Sequence, residues 1–459
     1  MGEKKYLNTF QKIGYASGDM ACNFGYALIS AFMMIYLTNA VGLNSAIVGT
    51  LMMISKIFDG ITDVFFGTLI DKTHTKLGKA RPWMLYGQIG VSACLFLVFC
   101  IPNGSKTMQY AYFFVFYTAF NAVFFTANNI AYSTLSALIT RNSQERVQLG
   151  SIRFMFSTAT YMAVMSLAMG LVEKFGGGTQ GWRMVALICA VLGLVVNTFS
   201  ALSVKELPDD EGDTSNLNEN KTKKLSLKEA FVLLFKNPYY IIIVLVYLVY
   251  YASSGITSTA AVYFYTYYFE NPSLQGIASL MGTVPIIIAL IVTPTLVKKV
   301  GSMRKVDMVG YAISTVLSIV QVIVAMQKNI SLFMILAFVK GLAMGPFTGT
   351  INALIAETAD YTYRTQGKRI DGTMFSCSSI GVKVGGGIGT AVAGWLLAVG
   401  GFNGLAEVQT TNAINMIFVM NTIIPILLSA VMVFLLYLLK VEKVNKEIDL
   451  AKAGGDVRC

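Results

Sequence analysis

The sequence predicts an all-α membrane protein, with twelve transmembrane helices in two pseudo-symmetric halves of six. Three observations carry that expectation. The 459-residue chain is 55% hydrophobic and 13% charged, with a mean hydropathy of +0.62, and a soluble domain carries about twice that charge. Twelve apolar runs are each long enough to cross a bilayer at about 20 residues per crossing. The longest polar stretch falls near the middle of the chain and parts the runs six and six. Period-two alternation over segments of about 10 residues is absent, which argues against an outer-membrane barrel.

The first six runs fall at 15–41, 46–70, 82–102, 109–139, 150–173 and 183–204. The last six fall at 238–269, 275–297, 306–326, 331–357, 372–399 and 412–439. Between the halves, "KELPDDEGDTSNLNENKTKK" is too polar to bury and reads as a linker over 205–237. The expected organisation is therefore a bundle at 1–204, that linker, a bundle at 238–440 and a tail at 441–459. Alternate connections are basic: Lys72, Lys76, Lys79 and Arg81, then Arg141 and Arg146, then Lys298, Lys299, Arg304 and Lys305, then Arg364, Lys368 and Arg369. The opposite connections are short and nearly uncharged, so both termini and the linker are expected in the cytoplasm. "GTLIDKTHTKLGKARPW" after the second run has a weak echo in "KKVGSMRK" after the eighth, which suggests an internal repeat. Two such halves form a transporter architecture that holds its substrate between them near the midplane.

"KIFDGITDV" breaks the second apolar run with Lys56, Asp59 and Asp63. At i, i+3 and i+7 the three charges share one helix face. Each costs about 2.5–3.5 kcal/mol at a helix centre, so they must face a cavity or one another. Two carboxylates one turn apart can share a cation or raise each other's affinity for a proton. Ion pairs that lock helices together are the structural alternative. Arg153, Lys340, Asp371 and Lys383 are further charges inside predicted spans, whereas Asp19 lies near the start of the first, where capping or interfacial solvation accounts for it.

Neutral polar groups form a second set. Asn23 and Tyr26 share a face of the first helix, and Thr126, Asn129, Tyr132 and Ser133 line one side of the fourth. Ser378 and Ser379 precede Lys383. Amides and hydroxyls suit hydroxyl-rich ligands, and aromatic rings stack on sugar faces. Hydrogen bonding between helices explains the same residue types. Glycines 385–387, 389 and 394 allow close backbone approach in the eleventh helix.

Other chemistries find little footing. The six cysteines lie mostly in apolar runs without paired spacing, as small buried hydrophobes do. With His74 as the single histidine and no HExxH or phosphate-binding loop, a polytopic membrane enzyme lacks its catalytic cluster. The net charge of +11 is placed by topology and does not point to nucleic acid. "MGEKKYLNTFQK" is polar, so no cleavable leader is expected.

Together, "GYASGDMACNF", "KIFDGITDVFFGTLIDKTHTKLGKARPW", "NNIAYSTLSALIT", "IAETADY" and "GVKVGGG" resemble the glycoside–pentoside–hexuronide:cation symporters. These form the melibiose-permease branch of the major facilitator superfamily, and the resemblance runs from the first helix to the twelfth. It implies a cation site at Asp59 and Asp63 with Thr126 and Lys383 beside it, and Arg153 beside the sugar. Lys56 falls where the melibiose permease has an arginine. The departures are in the sugar pocket. Two sugar-gripping aspartates of that permease correspond to Asn23 and Asn129, with Cys22 in place of a lysine; two tryptophans become Ser133 and Thr348, and a tyrosine becomes Ser30. Thr62 stands where the sodium-capable permease has an asparagine. The family site therefore predicts Asp59, Asp63, Thr62, Thr126 and Lys383 around the cation, with Na+ at the two aspartates or H+ on them. Around the substrate it predicts Asn23, Tyr26, Asn129, Tyr132, Ser133, Arg153, Thr348, Ser378 and Ser379.

The function expected is cation-coupled symport of a pentoside, hexuronide or disaccharide into the cell, by a monomer without cofactors in the cell membrane. A proton-driven exporter of the same superfamily shares the fold and is the alternative.

Overall fold

A computed structural model of the chain describes residues 5–207, 234–367, 374, 381–406 and 408–453. Eleven helical segments among them are long and apolar enough to cross a membrane. The third expected run completes the twelve as a less apolar helix, since it carries Arg81 and Gln88. By internal packing the chain divides into two units. One comprises Met1–Thr222, Asn271–Gly276 and Gly394–Ala413; the other comprises Lys223–Glu270, Ile277–Ala393 and Ile414–Cys459.

In the first unit the chain turns helical at Thr9, earlier than its apolar run, because Asn8 and Gln11 form a capping box. α1 (Thr9–Ala16) passes into α2 (Gly18–Ile35) through Ser17, which keeps helical dihedrals, and one wider turn at Tyr36–Ala40 follows. α3 (Ser45–Asp71) starts on the Asn44 side chain, and α4 (Arg81–Val98) starts with Pro82 in its first turn. α5 (Lys106–Thr118) and α6 (Thr126–Ile139) are joined by a wide turn at Ala119–Phe125. α7 (Ser143–Lys174) and α8 (Gly178–Ser203) follow. α2 packs on α7 and α8, and α4 on α6 and α8. Tyr15, Met84, Tyr132, Leu135 and Ile139 fill the core near one end. The segment from Gly394 belongs here too: the Trp395 indole donates to Thr50 at 2.9 Å, and Gly394 lies where any Cβ would strike the Ser45 carbonyl.

The second unit contains α9 (Pro238–Tyr263), which starts on the Asn237 side chain and ends in a wide turn at Phe264–Tyr268. It also holds most of α10 (Leu274–Val300), then α11 (Met303–Met326) and α12 (Ile330–Gln366). α12 outruns its apolar stretch by nine residues, 358–366, and stays helical through Pro346. A wide turn at Gly381–Gly385 leads into α13 (Gly386–Val399). The last apolar run is interrupted at Thr422, between α14 (Thr411–Asn421) and α15 (Ile423–Leu438), three residues before Pro425. Pro425 removes the N–H that a continuous helix needs there. The expected tail is a helix as far as Ala453, α16 (Val441–Ala453), and Arg364 grips its Asp449 with two nitrogens at 2.9 and 3.1 Å.

α11 packs on α12 and α15 and buries polar groups among its apolar ones. Asp307, Ser314, Ser318 and Gln321 on that helix are buried. Thr350 donates to Asp307 at 2.7 Å, and the Lys340 ammonium donates to Gln321 at 3.1 Å. Lys340 thus points at a neighbouring helix of its own unit.

The third helix of each half is anchored in the same way. In the first unit the backbone N–H groups of Lys79, Ala80 and Arg81 donate to the Glu206 carboxylate at 2.6, 2.9 and 3.0 Å, and Arg81 Nε donates to the Ala201 carbonyl. In the second the N–H groups of Met303 and Arg304 donate to Glu442 at 2.9 Å each, and Arg304 Nη1 donates to the Tyr437 carbonyl. Gly78 and Gly301, which precede these helices, both have positive φ, 107° and 71°. A carboxylate on orphan helical N–H groups satisfies donors and helix dipole together. The shared anchor gives the echo between "GKAR" and "GSMR" a physical meaning.

Candidate functional site

α3 carries Asp59 within a helix whose flanking Ile57, Phe58, Ile61 and Phe65 are exposed. Asp59 itself is 9% exposed and is hydrogen-bonded to the Thr126 hydroxyl on α6. Thr126 also lies 2.8 Å from the Asn121 carbonyl, five residues back across the wide turn. That turn brings a carboxylate, a hydroxyl and a backbone oxygen together, an oxygen set that suits a proton or a hard cation. Asp63, one turn on, is half-buried. Thr62 is turned inward on its own helix, its hydroxyl donating to the Asp59 carbonyl at 3.1 Å. The Lys56 ammonium lies 5.5 Å from the centre of the Tyr26 ring, which stacks on Phe125. Lysine over an aromatic face keeps its charge at lower solvation cost.

A second cluster joins α2, α6 and α7. Arg153 Nε donates to Asp19 Oδ2 at 2.6 Å, with side chains 22% and 17% exposed. The guanidinium lies 4.2 Å from the centre of the Tyr132 ring, which stacks on Tyr15 at 4.8 Å. The Tyr15 hydroxyl donates to the Tyr132 carbonyl, fixing α1 to α6. Asn23, one turn after Asp19, donates from Nδ2 to the Asp19 carbonyl and to Ser157 Oγ, each at 2.8 Å. Asn129 and Ser133 are exposed one turn apart on α6. Amides and hydroxyls exposed within a span are costly against lipid.

The expected residues thus separate into three groups. Asp59 meets Thr126, and Asn23, Tyr132 and Arg153 gather with Asp19. Tyr132 is fully buried and supports the guanidinium from below, so it positions Arg153 instead of presenting a ring outward. Thr348 on α12 and Lys383 in the wide turn before α13 are half-buried in the second unit. Ser378, Ser379 and Asp371 lie outside the described residues. Asp19 overturns its expected role: the helix starts at Asn8, so Asp19 is no cap but the counter-charge of Arg153. Its i, i+4 spacing to Asn23 was the available signal. Ser157, one turn after Arg153, follows the same logic.

The glycines around Lys383 are sorted by contact. A Cβ on Gly385 or Gly389 would meet the Leu248 or Ala252 carbonyl of α9, and one on Gly381 would meet the Tyr247 ring, whereas Gly386 faces open space. Gly381, Gly385 and Gly389 therefore seat the lysine-bearing turn directly on α9.

Comparison with known proteins bears on the whole chain. Residues 14–443 match the family model described as MFS/sugar transport protein. The isoprimeverose transporter of Lactiplantibacillus pentosus is 30% identical over 95% of this chain and 90% of its own. The inner membrane symporter YicJ of Escherichia coli K12 is 26% identical over 100% of this chain and 97% of its own. The glucuronide carrier protein homolog of the same organism is 24% identical, covering 90% and 88%. Among solved structures, the nucleoside transporter NupG covers 94% of this chain and 99% of its own with a TM-score of 0.65 at 15% identity. A bacterial homolog of the human lysosomal transporter Spinster covers 98% of both chains with a TM-score of 0.67 at 14% identity. These structural likenesses concern the fold alone.

Proposed function

The chain belongs to the MFS/sugar transport protein family, and from that premise we propose that it is a multi-pass membrane symporter that moves a sugar or glycoside into the cell with H+ or Na+. The observation that carries the proposal is the Asp59–Thr126 pair, with Asp63 one turn on, inside a membrane span otherwise free of acidic residues. A charge in that position has a function by default. The named relatives include transporters or symporters of isoprimeverose and, by homology, glucuronide, which is the basis for a sugar as cargo.

Cation binding at Asp59 and Asp63 removes like-charge repulsion between two carboxylates one turn apart. The sugar is held in the first unit by Asn23, Asn129, Arg153 and Ser133. Coupling requires each ligand to prefer one conformational state, so that only the empty and the doubly loaded carrier exchange readily between states. A monomer with both termini in the cytoplasm completes the proposal.

Purified protein in proteoliposomes tests it. An imposed pH or sodium gradient drives accumulation of a labelled glycoside, and Asp63→Ala abolishes accumulation while leaving exchange down a substrate gradient measurable. Gradient-driven accumulation that survives Asp63→Ala sinks the cation-site assignment.

A further inference from the structure

We propose that Asp19 sets the charge class of the substrate: by occupying Arg153, it fits the polar face of the first unit to uncharged glycosides and against uronates. The proposal rests on Arg153 belonging to the sugar site, and it goes further by naming the substrate class and the residue that decides it.

Guanidinium is the side chain best shaped to grip a carboxylate, through a planar fork of N–H donors. Here the fork is already engaged. Nε is 2.6 Å from Asp19 Oδ2, Nη1 is 3.4 Å from the Tyr15 hydroxyl, and the plane lies against the Tyr132 ring. The N–H groups left over can each serve one sugar hydroxyl without displacing Asp19. A uronate would have to evict that carboxylate or sit beside it, and like charges side by side are strongly disfavoured where water is scarce.

Asn23 adds an independent argument. Its Nδ2 is spent on the Asp19 carbonyl and Ser157, so what it offers a ligand is Oδ1, an acceptor. A sugar hydroxyl donates to an acceptor; an ionised carboxylate cannot. Lys56, another basic group inside a span of this unit, is on the helix of Asp59 and Asp63 and lies against Tyr26.

Matched ligand pairs test the idea, because a glucoside and a glucuronide differ only at carbon six. Counterflow in proteoliposomes is measured for methyl glycosides of xylose, glucose and galactose, and for the methyl glucuronide and galacturonide. Wild type is expected to exchange at least one neutral glycoside about tenfold or more better than its uronate counterpart, the scale set by an unpaired buried charge. Asp19→Asn is expected to narrow or invert that ratio by about tenfold, most strongly at low ionic strength, and Asp19→Glu to retain it. A merely structural Asp19 would lower both rates together and leave the ratio untouched. Wild type that exchanges uronates as well as neutral glycosides overturns the proposal while leaving sugar symport standing, and does so even if Asp19→Asn fails to fold. An unchanged ratio in folded Asp19→Asn overturns it equally. Wild type that exchanges neither class overturns the sugar-site reading, and this inference with it.

Discussion

Thr126 holds a hydroxyl with one proton between two acceptors, the Asp59 carboxyl and the Asn121 carbonyl. Removing it with Thr126→Val keeps the side-chain shape and takes this hydroxyl from Asp59. For sodium the hydroxyl oxygen is also one of the cation's ligands, and losing a contact to a charged group costs roughly 1.5–3 kcal/mol, so with sodium as the coupling ion the concentration that half-saturates uptake should rise about tenfold or more. Initial rates across a series of sodium concentrations and pH values check this; an unchanged half-saturation point removes Thr126 from the site. At this scale the sequence was informative wherever membrane burial made a residue costly. Asp59 and Asp63 stand out because hydrocarbon does not tolerate them. Asp19 did not, because its partner Arg153 lies 134 residues away and its own position imitates a helix start. Tyr132 is a related case, placed by spacing with Asn129 and Ser133 and fully buried in the structure. Spacing assigns a face to a ring, but only packing tells whether that face is covered.

Among the elements, the clearest case is the turn and helix from Gly381 to Val399. The glycine run announced close approach without revealing which glycines make it. Gly389 lies under the Ala252 carbonyl, and Gly386 faces nothing within reach. Gly389→Val should therefore push α13 off α9 and lower stability by about 1–3 kcal/mol, the usual range for overpacking. Gly386→Ala should be neutral or slightly stabilising, since alanine is the better helix former. Thermal unfolding in detergent separates them, and equal Tm values for the two variants would contradict the packing. The length of α12 was also hidden. Polar Glu357, Asp360 and Arg364 end the apolar run, yet the helix continues, with Asn445 of α16 donating to Glu357 and Arg364 paired with Asp449. Hydropathy sees the membrane's edge and not the helix's end.

For the whole molecule, twelve apolar runs made the all-helical membrane architecture legible, because lipid imposes its own length and polarity on each span. The internal repeat was fainter in sequence than in structure. Few residues are shared, but Glu206 and Glu442 each cap the third helix of a half, and Arg81 and Arg304 each reach the carbonyl five residues before that glutamate. Glu206→Gln and Glu442→Gln should each cost about 1 kcal/mol. Being in separate units, they should add when combined. A double variant no less stable than either single one would show that the two caps are not independent anchors.

The wide turn at Ala119–Phe125 has a genetic consequence. Each residue in an α-helix advances the direction of its side chain by about 100°, so a turn holding one residue more than an α-helical turn absorbs that residue without turning the helix that follows. Deleting Val123 would let the segment close as ordinary helix with Thr126 still on the side of Asp59. Deleting Ala127 from the regular helix would instead swing Asn129 by about 100°. A single-codon deletion at Ala127 should then silence transport more completely than one at Val123, although neither removes a group that touches either ligand.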